Sequence, residues 1–133
     1  MIVVDASVLL AFFLREKGWR KLSNYMIRTV SIDHAIKEFY NGVWKALALR
    51  KRIDEEDASK VLELFNAYIK KNIILEDEAD YIDDAYKISL EYNITIYDSL
   101  YLAQARRKKL PILTLDRKQI EVAREIGLEV ITT

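Results

Sequence analysis

Short β-branched apolar runs separated by longer stretches of helical period give this chain its frame. Apolar residues gather at 2–5, 29–32, 72–75, 111–115 and 129–132, and each run reads as a short buried strand. Between them, apolar positions recur at spacings of three and four over 6–15, 18–27, 33–51, 54–70, 77–92, 98–109 and 117–126, which predicts helices. In the helix over 54–70, Ala58, Val61, Leu62, Phe65 and Tyr68 share one apolar face, and Asp54 stands ahead of it as an N-cap. Strands alternating with helices predict an α/β fold with right-handed crossovers and a parallel sheet of about five strands, flanked by helices.

Four acids stand at the joints of this pattern. Asp5 ends the run Ile2-Val3-Val4 and Asp116 ends Ile112-Leu113-Thr114-Leu115. Ligand sites in parallel α/β sheets collect at the carboxyl ends of strands, so these two acids are expected on one edge. Asp98 opens the run Ser99-Leu100-Tyr101-Leu102-Ala103, where a helix N-terminus tolerates a carboxylate, and Glu38 lies inside the helical pattern that begins near Asp33. A fold that gathers Asp5, Glu38, Asp98 and Asp116 makes a pocket for a hard divalent cation, because Mg²⁺ and Mn²⁺ prefer oxygen ligands and retained water.

Composition narrows the class. The 133 residues suit one domain, 1–133, with a single core. Lys and Arg total 21 against 21 Asp and Glu, so any nucleic-acid contact must come from local basic patches, not from net charge. The runs Arg50-Lys51-Arg52 and Arg106-Arg107-Lys108-Lys109 each read first as solvated helix-end charges, and two such runs keep an RNA-backbone role open. No cysteine is present, which excludes disulfides, thiolate zinc and thiol catalysis. Neither a membrane span nor a signal-peptide pattern is visible, and a cytoplasmic protein is expected. His34, the only histidine, reads as a surface or packing residue, and Tyr25, Tyr81, Tyr86, Tyr92, Tyr97 and Tyr101 read as core and interface aromatics, a minority of them able to stack on RNA bases.

Taken in order, VVDAS at the start, KEFYN in the third helical pattern, IYDSLYLAQA later and ILTLD near the end resemble a PIN-domain protein over the full length. The size and the lack of an appended domain resemble VapC toxins, the ribonuclease halves of VapBC toxin-antitoxin pairs. The resemblance implies a PIN-like three-layer fold with strand order 3-2-1-4-5 and a Mg²⁺- or Mn²⁺-dependent endoribonuclease. It also implies a homodimer and a VapB-like antitoxin partner. By position, Asp5, Glu38, Asp98 and Asp116 match the family's acids, with Ser7, Asn41 and Thr114 matching polar positions beside them. Singly, each acid is more simply a cap, a turn residue or a wet helix residue, and their joint occurrence in family order is what shifts the balance.

Two rival readings follow from the same residues. A catalytically idle PIN domain used for binding or assembly would not need the intact acid set. A phospho-receiver would need paired acids after the first strand and a lysine where Thr114-Leu115-Asp116 stands. Converging carboxylates should repel, by roughly 1 kcal/mol at 4 Å in water and roughly 4 at an effective dielectric of about 20, so raised carboxyl pKa values are expected. The helices over 18–27 and 33–70 carry apolar side chains, Trp44, Phe65 and Tyr68 among them, expected to serve a two-fold homodimer.

Overall fold

Successive side chains of a strand point to opposite faces of its sheet, so a strand buried at every position needs cover on both sides. Thr29, Val30, Ser31 and Ile32 are all buried, as are Val3 and Val4. These residues belong to β1 (Ile2–Val4) and β2 (Thr29–Ile32), which with β3 (Ile73–Glu76) and β4 (Ile112–Leu113) form one parallel sheet of order β3-β2-β1-β4. The computed structural model describes residues 1–133.

Helices supply the cover. α1 (Ala6–Phe13) packs on α2 (Trp19–Leu22), α3 (His34–Trp44) and α4 (Glu55–Lys71), while α5 (Ile82–Tyr92) packs on α6 (Ile96–Lys108), which also meets β1, β2, β4 and α7 (Arg117–Glu125). Every residue from Ser99 to Ala105 is buried, so α6 is enclosed on all sides. Close approach of α3 to α1 depends on Gly42, where an added Cβ would run into the Leu10 side chain. That contact brings the face of α3 carrying Glu38 up to the start of α1. No helix is long and apolar enough to cross a membrane.

Several sequence-based boundaries move. The strand expected at 129–132 reduces to a single parallel bridge between Ile112 and Val130, held by Ile112 N–H to Glu129 O at 3.0 Å and Ile131 N–H to Ile112 O at 2.9 Å. β4 offers it little to pair with, because of its residues only Ile112 turns its N–H and C=O outward, Pro111 facing β1 instead, and past Leu113 the chain leaves the sheet toward α7. The order 3-2-1-4 therefore stands, with the fifth strand a vestige on the outer side of β4.

Helix ends shift for local reasons. α6 begins at Ile96, two residues before the expected start, because the Thr95 hydroxyl accepts from the Asp98 N–H and caps it. The pattern over 33–51 is α-helical only to Trp44 and then widens into a π-turn, Lys45–Leu49. The patterns over 18–27 and 77–92 likewise divide, with 3₁₀ turns at Ser23–Tyr25 and Glu78–Asp80. Asp54 caps α4 as expected, in a reciprocal box with Asp57.

Phe65 and Tyr68 are not surface residues. Phe65 stacks on Phe39 at 3.7 Å, Phe13 meets Phe39, Phe65 and Tyr68 edge-on at 5.3 to 5.8 Å, and the Tyr68 phenol donates to Met26 O at 2.8 Å. α1 and α4 thus bury these rings within the subunit, whereas Trp44 stays half-exposed.

Candidate metal and active site

In the β1–β4 register Val4 pairs with Leu113, so the next residues, Asp5 and Thr114, leave the sheet side by side. Asp5 is the N-cap of α1: its Oδ1 accepts from Val8 N–H at 3.2 Å and from Ser7 Oγ at 2.6 Å. Its Oδ2 accepts from Thr114 Oγ1 at 2.7 Å and from Gln119 Nε2 at 3.0 Å. The Ser7 and Thr114 hydroxyls also accept, from Leu115 N–H and Asp116 N–H. With both hydroxyl protons given to Asp5, the 3.5 Å separation of Ser7 and Thr114 is a contact, not a bond.

The other acids arrive from separate elements. Glu38 lies one turn into α3 and accepts from the Tyr101 phenol at 2.6 Å. Asp98 is the third residue of α6 and accepts from Gln119 Nε2 at 3.1 Å. Asp116 caps α7, its Oδ1 accepting from Gln119 N–H at 2.8 Å. Asn41 lines the same space from the next turn of α3. Together Asp5, Ser7, Glu38, Asn41, Asp98, Asp116 and Gln119 line one cleft of about 370 Å³.

Burial dominates the electrostatics. Asp5 is 2% exposed, and burial pushes its carboxyl up to about 6 against the pull of its hydrogen bonds. Burial likewise raises Glu38 and Asp98, with the charges of Asp98 and Asp116, respectively, adding to the rise. The expected direction is present, but repulsion ranks behind desolvation as its cause.

A hard cation suits this donor set, since four carboxylates offer only oxygen. As they stand, no three carboxylate or imidazole groups close on a common point at ligating distance. The Gln119 amide stands between two of them.

Basic side chains share the cleft. Glu38, Asn41, Gly42 and Lys45 fall on one face of the helix, and beyond the π-turn Arg50 and Arg52 reach the same space. Lys51, at φ +50°, is the turning residue between the two arginines. The second basic run does not take part: Arg107 bonds Asp84 at 2.6 Å and Asp80 O at 2.7 Å, and Lys108 bonds Glu76 at 3.2 Å. His34 packs against Tyr97 at 5.0 Å, and burial, followed by the Lys37 charge, lowers its pKa.

Tyr101, expected only as a core or interface aromatic, and Gln119 and Lys45, which no motif marks, also belong to the cleft or its hydrogen bonds. Tyr101 and Gln119 each lie three residues after a candidate acid, hence on its helix face, and that spacing was the available signal.

The sequence matches the PIN domain over residues 2–125. The chain belongs to the PIN-domain family. Among its PIN-domain relatives, Ribonuclease VapC3 of Pyrobaculum aerophilum is 30% identical over 123 residues, covering 90% of this chain and 92% of that one. Exonuclease VapC9 of the same organism is 29% identical over 116 residues, covering 87% and 80%. In fold, the PIN domain superposes on Mycobacterium tuberculosis VapC20, a Sarcin-Ricin loop cleaving toxin, with a TM-score of 0.71 at 15% identity over the whole of both chains.

Proposed function

We propose that this PIN domain is a metal-dependent endoribonuclease, the toxin half of a VapBC-type toxin-antitoxin pair. One observation carries the reading: four carboxylates from four elements line a single cleft whose other side chains include Lys45, Arg50 and Arg52. Acids for a cation beside bases for phosphates are the two halves of a phosphodiesterase site. The names of the VapC relatives support the same class.

In this reading Asp5, Asp98 and Asp116 hold Mg²⁺ or Mn²⁺, and Glu38 completes the cage or serves a second ion. When bound, such an ion would supply Lewis-acid chemistry, to a water and to the scissile phosphate. Ser7 and Thr114 fix the Asp5 carboxylate through their hydroxyls, and Tyr101 fixes Glu38. Lys45, Arg50 and Arg52 hold the flanking RNA phosphates, which positions the strand without reading its sequence. The partners are RNA, a VapB-like antitoxin and a second copy of the chain.

The test is cleavage of a circular RNA, which has no end for an exonuclease to start from. Wild-type protein with Mg²⁺ or Mn²⁺ should open the circle, EDTA should stop it, and Asp98→Asn should lower the rate by orders of magnitude with folding preserved. A folded Asp98→Asn variant that cuts like wild type removes the carboxylate mechanism. Metal binding without cleavage of any RNA would favour an idle binding module instead.

A further inference from the structure

Gln119 meets three of the four acids at once. Its backbone N–H donates to Asp116 Oδ1 at 2.8 Å, while its side-chain Nε2 donates to Asp5 Oδ2 at 3.0 Å and to Asp98 Oδ1 at 3.1 Å. The residue is 1% exposed, so water does not compete for these bonds. Its other amide atom, Oε1, is buried with no hydrogen-bond partner. Buried polar atoms are nearly always paired, and an orphan among them asks for a reason.

Geometry supplies one. An octahedral Mg²⁺ shell has bonds of about 2.0–2.1 Å, which places neighbouring ligands about 2.9–3.0 Å apart. Gln119 Nε2 already stands close to that separation from both carboxylate oxygens. An oxygen in its place would face both carboxylate oxygens and add a third oxygen donor beside them. Turning the carboxamide end over end exchanges nitrogen for oxygen, and the terminal torsion of glutamine is broad and roughly two-fold.

We infer that Gln119 is a carboxamide switch in the metal site: its Nε2 holds Asp5 and Asp98 together before a divalent cation arrives, and its turned Oε1 then joins them as a ligand. The inference rests on reading the cleft as a cation site. It assigns to Gln119 a role that neither its helix position nor its burial alone would require.

The test compares the full-length wild type with Gln119→Leu and Gln119→Glu, using Mn²⁺ alone as probe and calorimetry to read affinity. Gln119→Leu removes both amide atoms and should weaken Mn²⁺ binding about ten-fold or more, the scale on which metal-site partners act. Gln119→Glu keeps an oxygen at the site and should bind at least as tightly as wild type, while melting lower without metal because it adds a fifth carboxylate. Wild-type affinity in Gln119→Leu overturns the inference, and so does Gln119→Glu binding as weakly as Gln119→Leu, which would leave only the N–H role. An independent readout needs no variant in the binding step: in ¹⁵N-labelled wild type, the Gln119 side-chain NH₂ resonance should move on Mg²⁺ addition, and a resonance that stays put overturns the switch. Absence of any divalent binding by wild type would overturn the metal reading of the cleft and this inference with it. Normal wild-type binding with an indifferent Gln119 overturns this inference alone.

Discussion

The Tyr101 phenol donates a 2.6 Å hydrogen bond to Glu38 Oε1, joining α6 to α3 through residues 63 apart in sequence. Tyr101 is buried, and burial together with the Glu38 charge raises its pKa far above the usual tyrosine range, so it remains a donor throughout the working pH range. Glu38 feels opposing influences: burial raises its carboxyl, this hydrogen bond lowers it, and the Asp98 charge raises it again.

Tyr101→Phe keeps the ring and removes the donor, so two effects should appear together. Glu38 loses the bond that favours its ionised form, and its pKa should rise. The acid limb of the activity–pH profile should therefore move to higher pH, with kcat down about ten-fold at neutral pH and KM little changed, because an orienting bond and not a substrate contact is lost. Stability should fall by about 1 kcal/mol, the net worth of a typical hydrogen bond. A pH–rate profile superimposable on wild type would show that Glu38 needs no help from Tyr101.

Asp5 predicts a pH dependence of the metal-free protein. Its carboxyl sits at about 6 in the fold against 3.8 as an ordinary aspartate. Below the lower value it is protonated in both folded and unfolded chains and contributes nothing. Between the two values the folded protein retains a proton that the unfolded chain has released, so stability falls as pH rises, and above about 6 the loss is complete at on the order of 3 kcal/mol. Asp5→Asn cannot titrate, so in EDTA the gap between variant and wild-type melting temperatures should change in the variant's favour from pH 4 to pH 7. Affinity for Mn²⁺ in the wild type should rise through about pH 6, because the ion must displace that proton. Melting curves for the two proteins that run parallel across this range would place the Asp5 proton elsewhere.

The legible part of this molecule is what depends on local pattern. The strand–helix alternation appears as changes of apolar period, and each of the four acids marks a strand end or a helix, so their order along the chain could be seen without a structure. The fifth strand has a sound pattern and a poor partner: β4 is two residues long, and Ile112 alone turns its N–H and C=O toward it. Phe65 and Tyr68 looked available because the apolar face of α4 is plain in sequence, while its occupant, Phe13 on α1, is some fifty residues away. Gln119 was invisible for a similar reason. Its bond to Asp5 spans 114 residues and arises only from the β1–β4 register and the cap of α7. Arg50 and Arg52 were recognised as a basic run, but the π-turn and the left-handed Lys51 that carry them to the cleft leave no mark in the apolar period.

With Phe65 and Tyr68 inside the subunit, a homodimer would have to rest on other side chains. Tyr40 and Trp44 lie one turn apart on α3, at 41% and 51% exposure. Tyr40 also accepts from Asn66 Nδ2 of α4 at 2.9 Å, which ties the outer faces of the two helices together. A face shared by two neighbouring helices and carrying an indole is the kind of surface that pairs with its own copy, since a two-fold contact brings each residue against its counterpart or near neighbour. Sedimentation of the wild type at tens of micromolar, without antitoxin, should therefore report twice the 15.6 kDa chain mass. Trp44→Glu places a charge where the contact would exclude water and should yield a folded monomer with an unchanged far-ultraviolet spectrum. Wild-type protein that sediments as a monomer would remove the dimer, and a Trp44→Glu variant that remains dimeric would move the interface off this face.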